Sequence, residues 1–338
     1  MEAQKINTAV VILNWNGIKW LKKFLQIIID KSAKSNIYVA DNNSDDDSVK
    51  YINDNFPQVN IIQNLSNDGY ANGYNNALNE LNEEYFALVN SDIEVTDNWI
   101  EPIISLMEKD DLISACQPKI LNYNNKDRFE YAGASGGYID NLGYPFCRGR
   151  IFDSLEKDEN QYDGIKEVFW ATGACLFVRS QHFKEVNGFD NDFFAHQEEI
   201  DLCWRLKNKG YKIMVNPESI VYHVGGGTLN SSSPSKTYLN FRNNLYMLFK
   251  NLPLLHLITT IFFRLILDAA AGLTFLTKKN GIRHVLAILR AHFMFYVSIP
   301  NLVRKRQKIN QSATLKGKYD FSILYRYYIK GQKKYSDL

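Results

Sequence analysis

Residues 8–15 read TAVVILNW, a short apolar run that ends on the polar group Asn14, Trp15, Asn16 and Gly17. An amphipathic helix follows it, with Trp20, Leu21, Phe24, Leu25 and Ile28 on one side. The next apolar run, Ile37 to Ala40, closes on Asp41, and the turn DNNSDDDS opens a helix around Val49 to Asn55. Val59 to Gln63 reads as a third strand, Tyr70 to Leu81 as a helix and Tyr85 to Val89 as a fourth strand. Strands alternating with helices at this spacing predict an α/β fold, a mostly parallel sheet with helices on both faces.

In such sheets ligands bind beyond the carboxyl ends of the strands. Strand one ends at Asn14, strand two at Asp41 and strand four at Asn90, Ser91 and Asp92. Each of these residue types also forms turns or caps helices, so their shared position carries more weight than any one of them. Asp45 to Asp47 read as a solvated helix N-terminus rather than a ligand cluster. An extended segment puts residues 90 and 92 on one side, where they would hold a hard divalent cation against a diphosphate. Glu94 would join them if the extension persists; the alternative for an isolated Asn-Ser-Asp is an Asx-turn. No GxGxxG follows the first strand, which counts against a dinucleotide oxidoreductase.

A second informative stretch is FFAHQEEIDLCWRLKNKGY, residues 193–211. From Glu199 the residues Leu202, Cys203 and Leu206 follow at i+3, i+4 and i+7, so Glu199 heads the inward stripe of a helix that stops at Gly210. Asp201 pairs with Arg205 at i+4 as ordinary helix support. A carboxylate at such a position either satisfies the helix dipole or is a catalytic group facing a cleft.

The chain has 338 residues, 45% of them hydrophobic and 22% charged, the composition of a globular protein. Its four cysteines, Cys116, Cys147, Cys175 and Cys203, form no CxxC pair and read as buried free thiols in a reducing compartment. MEAQKINTAV shows no signal-peptide pattern, which predicts a cytoplasmic location. The total charge of +2 hides a division, because residues 251–338 carry 15 Lys and Arg against 3 Asp and Glu. Such asymmetry predicts a polyanionic partner surface. The run LPLLHLITTIFFRLILDAAAGLTFL, with Arg264 and Asp268 its only charges, and the later AHFMFYVSIPNLV, ending at Arg304, Lys305, Arg306 and Lys308, favour an anionic membrane over nucleic acid. Lys250, Lys278 and Lys279 flank the first run. Neither stretch holds 18 uncharged apolar residues, so helices lying in the membrane interface are expected, or else a soluble helical subdomain packed on the rest.

Seven segments, in order over residues 8 to about 245, together resemble the family 2 glycosyltransferases of GT-A fold that use nucleoside-diphosphate sugars. They are VVILNWNG, VADNNSDD, NDGYANGYNNAL, LVNSDIEV, WATGACLFVR, GFDNDFFAHQEEIDLCWRLKNKGY and VYHVGGGT. The likeness is greatest to the rhamnosyltransferase-like branch that builds bacterial surface polysaccharides. It implies a catalytic domain over 1–245, leaving 246–338 as a basic, apolar helical region.

The resemblance also implies roles. Asp41 would recognise the nucleobase, with Asn14 and Asn43 lining the pocket. Asn90 to Asp92 stands at the family's DxD position, whose last acid binds Mn2+ or Mg2+; Asn90 in place of the first acid removes one negative charge. His223 matches a histidine that completes the metal site, or is structural. Glu198-Glu199 falls at the ED motif, whose second acid is the catalytic base. Glu199 is one methylene longer than Asp, which leaves Glu198 as a competitor. Trp170, Thr172 and Gly173 match a loop contacting donor and acceptor sugars, with Trp170 alternatively a core residue.

The implied activity is an inverting transfer from a nucleoside-diphosphate sugar to a hydroxyl of a glycan or lipid-linked saccharide, at the inner face of the cytoplasmic membrane. Two other classes differ in pattern. A sugar nucleotidyltransferase would carry a Gly-rich phosphate loop with a basic residue after strand one, which NWNGIKW matches poorly. A non-catalytic carbohydrate-binding protein would need no paired carboxylates opposite a metal site.

Overall fold

A computed structural model describes residues 7–225, 233–277, 279–312 and 315–338. All of MEAQKI, the last three residues of VYHVGGGT and Lys278 lie outside the described residues. The chain opens with β1 (Thr8–Asn14), α1 (Ile18–Asp30), β2 (Asn36–Asp41), α2 (Ser48–Asn55), β3 (Asn60–Gln63), α3 (Gly69–Asn79) and β4 (Tyr85–Asn90). These strands pair in parallel in the order β3-β2-β1-β4, with Asn14 opposite Asp41 and Leu13 opposite Asn90. The predicted alternation is therefore the observed one.

Strand geometry explains why both faces are covered. Successive side chains of β1 point to opposite faces. Val10 and Ile12 join Leu21, Phe24, Leu25 and Ile28 of α1 in one core, whereas Ala9 and Val11 join Ala71, Tyr74, Ala77 and Leu78 of α3 in the other. A strand buried on both sides has no room for polar residues along its length, so they collect at its end.

Next come β5 (Ile93–Val95), α4 (Glu101–Glu108) and β6 (Ile113–Asn122), then four short strands, β7 (Gly137–Ile139), β8 (Pro145–Cys147), β9 (Arg150–Ile151) and β10 (Ser154–Leu155), in a separate antiparallel sheet. β11 (Lys166–Val168), β12 (Cys175–Arg179), α5 (Ser180–Glu185), α6 (Glu198–Asn208) and β13 (Lys212–His223) complete the large sheet and its cover. β12 runs antiparallel between β4 and β6, and β13 lies parallel to β6. β5 pairs antiparallel with the end of β13, placing His223 opposite Ile93.

Three long helices follow, α7 (Pro234–Asn251), α8 (Leu254–Leu276) and α9 (Gly281–Arg306). The expected boundary at residue 245 falls inside α7. Asn243, Asn244, Lys250 and Asn251 of that helix are buried, and Lys250 Nζ lies 2.8 Å from Asp201 Oδ1. The tail is not wholly helical either: residues 315–338 return to the small sheet, where Tyr319 N donates to Ile139 O at 2.9 Å and Tyr335 stacks on Tyr138.

In sequence, neither apolar stretch holds 18 uncharged apolar residues; the helices they form are longer than those runs. α8 and α9 have 23 and 26 residues and are long and apolar enough to cross a membrane, by length and composition alone. The charges that interrupt α8 in sequence, Arg264 and Asp268, are 3% and 1% exposed and paired with each other at 3.0 Å. They face inward, so the outer face is uninterrupted.

Candidate active site

The loops after β1 and β2 are laced together at the carboxyl edge of the sheet. Asn14 Nδ2 donates to Asp41 Oδ1 at 2.9 Å, and Ser44 donates through its backbone N to Asp41 Oδ2 at 2.9 Å and through its hydroxyl to Oδ1 at 2.6 Å. Asp41 is fully buried with both oxygens engaged. Asn14 Oδ1 is buried without a partner, and a Cβ at position 17 would stand 2.3 Å from it, which is why Gly17 follows here. Asn43 lies exposed on the turn in a left-handed conformation, φ 57°, while its neighbour Asn42 is buried and bonded to Gly69 O and Asn64. Trp15, an aromatic among polar residues at a strand end, is 45% exposed at this edge.

The DxD-like segment meets the end of β13. His223 Nε2 lies 3.1 Å from Asp92 Oδ1, and His223 Nδ1 lies 3.1 Å from Glu130 Oε2, all three residues being at least nine-tenths buried. Burial opposes the charged imidazole, but the bond to Asp92 and the proximity of Glu130 push the His223 pKa up to about 10. Burial likewise raises the Asp92 carboxyl, yet the bond and charge of His223 outweigh it and hold the group below its ordinary value. Glu130 was missed in sequence because it belongs to no motif. Glu94 is taken up by an ion pair with Lys126.

Among the described residues no three His, Cys, Asp or Glu side chains form a complete metal-ligand group. Two ligands nonetheless suit a divalent ion that takes its remaining positions from phosphate oxygens and water. The donor types are suitable: Asp92 and His223 Nε2 converge, while Glu130 Oε2 lies 3.1 Å from the other ring nitrogen without forming a well-aligned hydrogen bond, close enough for a carboxylate that would orient a metal-binding imidazole.

Across the edge, α6 begins with Glu198 and Glu199. The Glu199 side chain is only partly covered, but Oε2 of each glutamate is out of contact with solvent and without a partner. Burial raises the Glu199 pKa to about 7, and burial plus the neighbouring Glu199 raises that of Glu198 well above the ordinary value. A Cβ at position 173 would lie 3.7 Å from Glu199 Cβ and 2.7 Å from the Tyr70 hydroxyl, which itself donates to Gly173 O at 2.7 Å. Asn90 N donates to Ala174 O at 3.0 Å. The Gly173–Ala174 seam thus has β4 on one side and Glu199 on the other.

The other loop residues are held in the interior. Trp170 is 4% exposed, its ring lies against Gly137 and its Nε1 donates to Tyr138 O at 2.9 Å, so the ring offers no open face to a sugar. Thr172 is buried, with its backbone N bonded to Gln117 Oε1 at 3.0 Å and its Oγ1 accepting from Ala174 N. Asp201 is no surface helix pair: it is fully buried between Arg205, Lys250 and Asn251. A cavity of about 670 Å³ opens on the flank beside Asn75, Arg205, Lys250 and Lys305, and none of the candidate site residues lines it.

The description "Glycosyl transferase family 2" belongs to the family model that matches residues 9–182. The N-acetylglucosaminyl-diphospho-decaprenol L-rhamnosyltransferase of Mycobacterium tuberculosis is 24% identical over 233 residues, covering 63% of this chain and 75% of that protein. Rhamnosyltransferase WbbL of Escherichia coli K12 is 23% identical over 225 residues, covering 63% and 82%. Among solved structures, GalNAc-T7 with UDP, GalNAc and Mn2+ superposes with a TM-score of 0.57 at 17% identity over 74% of this chain, which spans about half, 49%, of that one. S. aureus TarS 1–349 in complex with UDP gives a TM-score of 0.53 at 13% identity, covering 88% and 89%. These structural likenesses support the GT-A fold, and the sequence match supplies the activity. The chain belongs to glycosyl transferase family 2 and is a glycosyltransferase.

Proposed function

We propose that this glycosyltransferase moves a sugar, with inversion, from a nucleoside-diphosphate sugar to a hydroxyl of a lipid-linked saccharide at the inner face of the cytoplasmic membrane. The observation that carries the reading is the partly covered Glu199 carboxylate, whose Oε2 is buried without a partner and whose pKa burial raises to about 7, beside the seam that joins it to the end of β4. A base of that basicity is matched to neutral pH. Glu199 would take the proton from the acceptor hydroxyl as that oxygen attacks the anomeric carbon and the diphosphate leaves.

Asn14, Asp41 and Asn43, with the exposed face of Trp15, would receive the nucleoside. Asp41 would work through the Asn14 and Ser44 groups it orients as well as directly, since its oxygens are already engaged. Asn90 and Gly173 would border the donor sugar. Asp92 and His223 would hold a Mn2+ or Mg2+ ion, with Glu130 orienting the imidazole. When bound, the ion supplies positive charge to the departing diphosphate. The decaprenol-linked acceptor in the name of the mycobacterial relative and the apolar outer faces of α8 and α9 support a membrane-borne acceptor.

Glu199→Gln tests the base. Turnover is expected to fall by ~10² to 10⁴ with donor binding nearly intact, and wild-type transfer should decline below about pH 7 as Glu199 takes up a proton. Full activity in Glu199→Gln, with loss in Glu198→Gln, would hand the role to Glu198.

A further inference from the structure

The base-bearing helix is entered through a backbone that its residues do not favour. His196 and Gln197, with φ of 71° and 73°, are consecutive non-glycine residues in the left-handed region, immediately before Glu198. Side chains there crowd the backbone, so such a pair persists only where surrounding groups over-determine it. Those groups come from α7. Asn243 Nδ2 donates to Ala195 O at 2.9 Å and to His196 O at 2.8 Å, and Asn244 Nδ2 donates to Gln197 Oε1 at 3.1 Å and Gly143 O at 2.8 Å. The Asn243 amide has no freedom to turn, because its Oδ1 accepts from Arg242 Nε at 2.9 Å and Nη2 at 2.7 Å. Gln197 is the residue from which α6 starts, and its carbonyl accepts from Asp201 N at 2.9 Å. Whatever fixes residues 195–197 therefore fixes where the first turn of α6 carries Glu199.

The same amides connect to the apolar helices. Asn244 Oδ1 accepts from the Arg264 guanidinium, which bonds Asp268 Oδ1 through Nε at 3.1 Å and Nη2 at 3.0 Å, and Asp268 Oδ2 lies 3.1 Å from His292 Nε2. On α8 the buried residues Thr260, Arg264, Asp268 and Gly272 recur every four positions, a stripe facing inward from an otherwise apolar helix. A polar line thus runs from α9 through α8 and α7 to the loop before Glu198.

We propose that Asn243 and Asn244 are positioning residues for the transfer reaction, holding the loop 195–197, with His196 and Gln197 in their left-handed form, and tying the placement of Glu199 to the inner face of the α8–α9 hairpin. This rests on Glu199 being the base. It assigns the amides no contact with substrate: they act through the loop.

Steady-state kinetics on the full chain test it, using Asn243→Ala and Gln197→Met, the latter removing only the acceptor that Asn244 grips at a partly exposed position. Asn243→Ala should lower kcat by ~10²-fold, as expected for a displaced catalytic group, with donor KM unchanged. Gln197→Met should lower kcat by about 2- to 10-fold in the same pattern. In a Glu199→Gln background neither change should cost further turnover, whereas a merely structural weakening would add to it. Should Asn243→Ala fail to fold, Gln197→Met alone decides. Unchanged kcat, or losses that add to that of Glu199→Gln, would overturn the positioning role. A fully active Glu199→Gln enzyme would instead overturn the base assignment beneath it.

Discussion

The sheet domain and the α8–α9 hairpin place their polar groups in opposite senses. β1 is apolar along its length, with Ala9, Val10, Val11 and Ile12 fully buried, and its polar residues stand at the strand end. α8 turns its one ion pair inward and presents Leu254, Leu255, Ile258, Phe262, Phe263 and Ile266 outward, each more than half exposed. α9 does the same with Ile282, Leu286, Leu289 and Phe293. Water drives the first arrangement, since burying apolar area is the main gain of folding. The second leaves a contiguous apolar surface larger than scattered exposed residues account for, and it suits a surrounding that is itself apolar. Identical residue types should therefore carry different consequences in the two regions.

Phenylalanine makes the sharpest test. Phe24, 1% exposed beneath β1, should cost ~3–5 kcal/mol when truncated to Ala, read as a shift in denaturant midpoint. Phe263, 52% exposed on α8, should cost within about 0.5 kcal/mol in detergent-free buffer. Combined Leu255→Ser, Phe262→Ser and Phe263→Ser in the full chain should release the protein from anionic vesicles that hold the wild type. Equal vesicle binding by both proteins would break the contrast and leave the hairpin as a packing element.

Within the sheet domain, Glu130→Gln should weaken divalent-ion affinity by about 10- to 100-fold, measured by calorimetric titration of Mn2+, because Glu130 orients the ring of His223 rather than touching the ion. Unaltered affinity would remove Glu130 from the site.

A smaller effect concerns pH. Burial raises the folded-state pKa of Glu199 to about 7, and burial with the neighbouring Glu199 raises that of Glu198 well above its ordinary value, so above 4.5 the unfolded chain releases protons that the folded one retains. Stability from this pair is thus present below pH 4.5 and is lost as pH rises through the folded values. Glu198→Gln should raise the Tm more at pH 7.5 than at pH 5, and the difference between the two chains isolates this pair from the other titrating groups. A shift equal at both values would mean that the pair does not share this burial.

The contrast also governs how much could be read in advance. Periodicity is a local property, so the strands β1 to β4, the helices between them and the edge residues Asn14, Asp41 and Asp92 were legible from spacing. Charge count misjudged α8, because a count records Arg264 and Asp268 but not that both face inward. Trp170 shows a similar limit: its motif position implied a sugar-facing ring, while its neighbours in space, Gly137 and Tyr138, bury it.

By itself the sequence determined the alternating α/β pattern, the family and the set of polar strand ends, because each follows from residues within a few turns or from motifs held in order. The tertiary structure alone decided which partners those residues have. The bond between His223 and Asp92 spans 131 positions, and Asn243 reaches His196 across 47. Sheet order and helix packing, which no local period encodes, bring such distant groups within hydrogen-bonding range.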